Sequence, residues 1–285
     1  TPNAGFNRQI VNAAFRSEVA KWLTLEMKVS YNRKQSDNLP QSGYGPSTIP
    51  YALMWSQPSV PIAWYRNYRI DEYTQSNPFQ GSADNPYLMA YEQLNSMLRN
   101  RLYGNVNLNI KIYKGLSLML RSGLDMTNDF RTQQWPFGSR KSARGKYKEQ
   151  RIQRSEFNHD FLLRYENRWG DFGLNASVGG NIMRSNYNSA LMWSTQLKTP
   201  GVFKFSNSVN SPSFSTNVTN KSIRSLYGMV QLSYRDYVYL DITGRNDWSS
   251  ALAKGNNSYF YPSVSASIVL SSILRFSERA PMIDL

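Results

Sequence analysis

The chain has no cysteine and a single histidine, His159. Without cysteine there is no disulfide framework and no thiolate metal site, and one imidazole cannot build a histidine cluster. His159 reads as a rim residue of a barrel wall. Nowhere do apolar residues run on for the roughly eighteen positions that a membrane-crossing helix needs. The chain also lacks G-x-S-x-G, H-E-x-x-H and a complete phosphate loop. No catalytic constellation, metal site or cofactor site remains, so the chain is not expected to be an enzyme. It begins at Thr1 without an initiator methionine or signal peptide, and we expect a fragment of a longer protein.

Acidic residues are the other scarcity: 19 Asp and Glu stand against 33 Lys and Arg, for a net charge of +14. A polyanion partner is one reading of that excess. The basic residues lie in loops and between strands without a nucleic-acid-binding motif, so nucleic acid is not expected. Two further readings stand: acidic parts elsewhere in a larger protein, or contact with lipopolysaccharide phosphates. Aromatics, by contrast, are plentiful, with 19 Tyr, 13 Phe and 7 Trp. Mean hydropathy is −0.55, which does not exclude a barrel, because lumen-facing positions dilute the average.

The region from Ile223 to Leu270 carries the clearest pattern. Three runs alternate with period two, the mark of half-buried strands. Leu226, Val230 and Leu232 oppose Tyr227, Gln231 and Ser233. Val238, Leu240 and Ile242 oppose Tyr239, Asp241, Thr243 and Arg245. Val264, Ala266, Ile268 and Leu270 oppose Ser263, Ser265 and Ser267. Each run has the length of a tilted membrane-spanning strand. Tyr234, Tyr237 and Tyr239 gather at one end, and Trp248, Tyr259, Phe260 and Tyr261 at the other, suggesting two aromatic girdles.

Earlier segments alternate in the same way over 7–20, 23–31, 102–112, 116–130, 156–167 and 172–187, giving about nine strands in all. Residues 32–99 hold seven prolines and read as a large ordered loop with a short helix near 87–98. Residues 131–155 read as a basic loop, and 188–221 as a long polar one. Connections thus alternate short and long, as periplasmic turns and extracellular loops do. The expected fold is all-β: part of a transmembrane antiparallel barrel spanning 1–276, with a tail over 277–285 that departs from the pattern. An isolated set of nine strands would leave two open edges in hydrocarbon, so the remaining strands must come from other sequence or another chain.

The residues also resemble a known family. SLYGMVQLSYRDYVYLDITGRNDWSS followed by NNSYFYPSVSASIVLS is similar to the C-terminal half of SusC/RagA-like TonB-dependent transporters of Bacteroidetes. NPYLMAY, RNRLYGNVNLNIKIYKGLSLMLRSGLD, NHDFLLRY, VGGNIM and LKTPGVFKFSNS carry the same resemblance. It implies a plugged barrel of about 22 strands in the bacterial outer membrane, importing glycans or peptides. It further implies a SusD-like surface lipoprotein as lid, and TonB acting through a plug and Ton box not present here. A passive porin or barrel adhesin shares every physical feature, and a soluble basic polyanion-binding β-protein is a third reading.

Two groups of candidate site residues follow. Arg245, Asn246, Asp247, Trp248, Ser249 and Ser250 form the family motif at the outer rim, read mainly as structural: polar groups end the strand while Trp248 anchors in the interface. Glu26, Lys28, Lys111, Arg121, Asp125, Arg164 and Asp241 are candidate lumen lining, because a charge at the bilayer midplane on the lipid side costs about 2–4 kcal/mol. Such charges line a substrate path, pair across strands, or hold a plug. Loop aromatics such as Trp55, Trp64, Tyr65 and Trp193 either stack on sugar rings or pack the loops into a lid.

Overall fold

The computed structural model describes residues 2–78 and 82–270; the tail 277–285 lies outside them. Among the described residues, nine antiparallel strands form one sheet in simple chain order. They are β1 (Asn7–Ala20), β2 (Leu23–Ser36), β3 (Asn95–Tyr113), β4 (Leu116–Ser139), β5 (Ser142–Trp169), β6 (Phe172–Ser194), β7 (Ser213–Tyr234), β8 (Val238–Ser249) and β9 (Ser258–Ile268). Two short helices, α1 (Ile49–Met54) and α2 (Pro86–Tyr91), interrupt the connection between β2 and β3.

Register turns the alternation into two faces. Leu232 opposes Leu240 and Val230 opposes Ile242; Ile242 then opposes Val264. On the other face Gln231 opposes Asp241, and Arg121 opposes Asp160. No second protein layer covers the apolar face among the described residues: Ile242 is 44% exposed and Val264 69%.

The turns at one end are tight. Arg235 and Asp236 both have positive φ (52° and 59°), and the Tyr237 amide bonds the Tyr234 carbonyl, the geometry whose twist matches a hairpin. Arg235 is held there by the Asp171 carboxylate at 2.7 Å, and Asp236 by Arg168 at 2.7 Å. Gly115 takes a φ of +74° in the β3–β4 turn, and a Cβ there would fall 2.0 Å from the Glu166 carbonyl oxygen. Only glycine fits.

At the other end the strands run much further than their alternation suggests. Residues 131–155, expected as a loop, continue β4 and β5 to a turn at Arg140 and Lys141; only the tip beyond Gln133 and Tyr147 is a two-stranded ribbon. The short-long alternation of connections therefore fails at β4–β5. Strands β6 and β7 likewise extend into 188–221, leaving only 195–212 as loop; β2 reaches Ser36 and β3 starts at Asn95. The helix expected near 87–98 occupies Pro86–Tyr91. The reason is physical: where both faces meet polar surroundings, apolar alternation has no cause, yet backbone pairing continues. Cross-strand contacts replace it, with Arg151 lying 5.0 Å from the Phe130 ring and Lys146 5.2 Å from Trp135.

The expected aromatic girdles need a second correction. Tyr239, Tyr259 and Tyr261 fall in register with Ser233, Asp247 and Arg245, on the polar face. On the apolar face the aromatics near the tight turns include Tyr113, Tyr165, Trp169, Phe172 and Tyr234; the Phe172 and Tyr234 rings lie 4.9 Å apart.

Candidate functional site

The polar face is a ladder of ion pairs within and between strands. Arg16 meets Glu26 at 3.1 Å, Arg121 meets Asp160 at 2.9 Å, and Arg164 meets Glu166 at 3.1 Å. Asn181 also donates to Asp160 at 2.7 Å, and Gln231 to Asp241 at 2.7 Å. All seven candidate lining residues lie on this face by register. Of these, Glu26, Arg121, Asp125, Arg164 and Asp241 are each tied to a neighbour. Lys28 and Lys111 form no ion pair among the described residues.

Nearer the extended ends, the face hollows into a concavity of about 420 Å³ lined by Lys34, Arg99, Arg101, Arg131 and Arg154 against Asp125, Asp129 and Glu156. Arg99 and Arg131 converge on Asp129 at 2.6 and 2.7 Å. Burial there works against the ionised carboxylate, but hydrogen bonds from Arg131 and Arg99 outweigh it, and its pKa falls below the ordinary value. Arg101 grips Asp125 through Nε at 2.9 Å while its guanidinium lies 4.7 Å from the Tyr103 ring centroid. Only Asp125 of this cluster was singled out from sequence. The signal for the rest was there: Arg99 and Arg101, then Asp125, Asp129 and Arg131, sit at even spacing and continue the polar side of strands already assigned.

The rim motif is satisfied locally. Arg245 donates to Asp247 at 2.8 Å and to Ser225 at 3.0 Å, and its guanidinium lies 5.7 Å from the Tyr227 ring. Tyr227 in turn lies over Gly179, where a Cβ would fall 2.6 Å from the ring. Asn246 bonds Ser258 at 2.8 Å, and the Ser222 amide donates to the Ser250 hydroxyl at 2.8 Å. Ser249 accepts from the Ala251 amide at 3.3 Å. Trp248 sits on the opposite face, across from Arg224.

Beyond the concavity, the long connection and the ribbon tip pack together. Asn85, fully buried, donates to the Tyr65 and Ser76 carbonyls at 3.0 and 2.7 Å and accepts from the Tyr87 amide at 2.8 Å. Gln75 reaches the Gly138 carbonyl at 2.6 Å, Asp84 accepts from the Arg140 amide at 2.7 Å, and Arg69 joins Glu92 to the Phe137 carbonyl. Leu197, from the 195–212 loop, is buried against Phe137 and Tyr147, with Phe203 and Phe205 beside it. Among the loop aromatics, Tyr65 is buried, Trp55 and Trp64 are exposed, and Trp193 belongs to β6.

No family model and no curated protein matches this chain. Solved structures do. The RagAB peptide transporter superposes with a TM-score of 0.76 at 16% identity, covering 96% of this chain and 31% of that one. The RagAB peptide importer in its closed-closed state gives 0.74 at 20% identity, again over 96% and 31%. P. aeruginosa FpvA bound to heterologous pyoverdines gives 0.55 at 10% identity, over 93% and 33%. The fold is that of a TonB-dependent outer-membrane barrel. The chain spans about a third of the length of these structures, which are transporters and receptors rather than enzymes.

With the fold assigned, the polar face is the lumen wall and the apolar face meets lipid. From Val238 to Trp248, β8 climbs about 25 Å along the normal, at roughly 3.3 Å per residue and a tilt of about 40°. That is the depth of an outer-membrane apolar band. Its outer limit is legible strand by strand, since the lipid face turns polar at Arg33, Asn100, Asn128, Ser155, Arg184, Arg224 and Asn246. The concavity around Asp129 straddles this limit, and the packed loops lie beyond it, on the side away from the tight turns. His159 lies inside the band on the lipid side, its Nδ1 3.1 Å from the Ser122 hydroxyl, and not at the rim as expected.

Proposed function

We propose that this chain is wall and mouth of an outer-membrane TonB-dependent importer for large nutrients, glycans or peptides. The supporting observation is the pairing of a continuous lipid-facing band with an ion-paired lumen face, in a sheet that superposes on RagAB over 96% of its length. Most of the lumen residues are fixed in ion pairs or hydrogen bonds and give a rigid wall; the concavity at the mouth offers charged groups of both signs to a solute. A surface lipoprotein of SusD type closes the mouth, as RagAB pairs a transporter with a second chain. TonB acts through a plug and Ton box carried by other parts of the protein. The chain itself supplies no chemistry. Residues 1–276 serve as barrel, with rim residues Arg245–Ser250 structural and the seven lining residues holding wall or plug.

The test is uptake by cells carrying the full-length protein, with and without a functional Ton box. Import should vanish when the Ton box is deleted while the barrel still reaches the outer membrane. Uptake that persists unchanged would favour the passive-pore alternative. A protein that stays in the soluble fraction would overturn both.

A further inference from the structure

Arg184 and Arg224 stand on the lipid-facing side of the wall, at the outer edge of the apolar band. Arg184 pairs in register with Phe157 on one side and Ser222 on the other; Arg224 pairs with Ile182 and Trp248. The two arginines are thus diagonal neighbours, about 7–8 Å apart. Both are exposed, and neither forms an ion pair, hydrogen bond or ring contact among the described residues. Their neighbours on this face are Phe157, His159, Ile182, Ser222, Leu226, Asn246 and Trp248; there is no carboxylate among them. Two adjacent unpaired cations repel each other, and lumen arginines on the flanking strands find acids, as Arg164 finds Glu166 and Arg245 finds Asp247.

Directly below Arg224, toward the tight turns, the lipid face opens into a groove of about 740 Å³. Gly228 and Gly244, opposite one another, form its floor, and Leu226, Val230, Ile242 and Phe260 line it. Basic groups sit above a greasy slot, at the depth where headgroups meet acyl chains.

We propose that Arg184 and Arg224 clamp the phosphate of an outer-leaflet lipid whose acyl chain lies in the groove over Gly228 and Gly244. Guanidinium groups bind phosphate through paired charge-assisted hydrogen bonds, and a dry interface strengthens them. The charge of the site, its depth and the slot beneath it all fit one molecule of that chemistry.

The experiment uses the full-length barrel purified in mild detergent, with native mass spectrometry reading retained lipid. The probes are lipid A carrying its phosphates, the same lipid A stripped of phosphate, and inorganic phosphate. The wild-type protein should hold the phosphorylated lipid roughly tenfold or more tightly than the dephosphorylated one, and the Arg184→Ala/Arg224→Ala variant should lose that preference. Arg184→Lys/Arg224→Lys should restore part of it. Heat-modifiable gel mobility confirms that each variant is folded. Equal retention of both lipids by the wild type would overturn the proposal. So would undiminished retention by the double alanine variant, full competition by inorganic phosphate, or a change in oligomeric state without a change in lipid.

Discussion

In the membrane band, large apolar side chains stand open to the outside: Leu226 is 50% exposed, Phe260 64% and Val264 69%. At the mouth the opposite holds, with Leu88 and Leu197 wholly buried. Among the described residues, all eleven buried hydrophobic ones, from Ala52 to Leu197, belong to the loops or to strand segments beyond the band. One polypeptide thus satisfies the hydrophobic effect in two ways. The band leaves its apolar face for lipid, where an exposed surface of that size on a water-soluble protein would drive association. The mouth, surrounded by water on all sides, must make its own small cores from loops and ribbon.

The contrast predicts that the same kind of damage has different reach in the two regions. Leu197→Ala removes the side chain that ties the 195–212 loop to Phe137 and Tyr147, at a cost of about 3–5 kcal/mol if the site collapses poorly. The barrel should stay assembled while the loop opens. Limited proteolysis of the folded protein should show new cleavage within 195–212 and none in the band. Loss of heat-modifiable barrel mobility in this variant would show that mouth and wall are one cooperative unit.

Next in size is a charge placed in the band. Ile242→Arg faces lipid near mid-depth and should destabilise the barrel by about 2–4 kcal/mol. Thr243→Arg, one residue on, faces the lumen and should cost far less. Urea titration of the protein refolded in vesicles measures both. Equal effects would mean that the two faces are not lipid and lumen.

Below these comes an effect of pH confined to the mouth. Asp129 lies beyond the band, and Arg131 and Arg99 hold its pKa below the usual carboxylate value. A depressed folded pKa means stability that is present above the unfolded value, near 3.9, and lost as pH falls through the folded one. Amide protection factors around Asp129, taken relative to the intrinsic exchange rate at each pH, should therefore fall on acidification in that window. Asp129→Asn should remove this dependence and leave the arginines unpaired at every pH.

How much of this was legible beforehand depended on the surroundings of each segment. Val238, Leu240 and Ile242 announced a strand and its outward face because lipid on one side and a polar lumen on the other enforce period two. Arg151 and Arg154 announced nothing of the kind. Above the bilayer both sides of a ribbon tolerate charge, so strands there look like loops. Asn85 was equally silent: a polar side chain in a proline-rich stretch gives no sign that it will be buried and bonded to Tyr65, Ser76 and Tyr87. Tyr239, Tyr259 and Tyr261 misled in another way. Their position along the strand suggested girdles, but parity put them in the lumen, and parity was readable from Asp241 and Arg245.

The smallest effect belongs to the tight turns. Arg168 with Asp236, and Arg235 with Asp171, cross-link two neighbouring turns at 2.7 Å each, yet all four side chains are more than half exposed. In water such pairs gain little, because solvent and salt screen them and ordering two long side chains opposes the gain. Asp171→Asn should therefore leave barrel stability unchanged within error at physiological salt, with a small loss appearing only at low ionic strength. Asp236→Gly should be neutral or slightly stabilising, since glycine accepts the positive φ at that position without strain. A large loss in either variant, persisting in high salt, would mean that the turns contribute to barrel stability through something other than exposed charge.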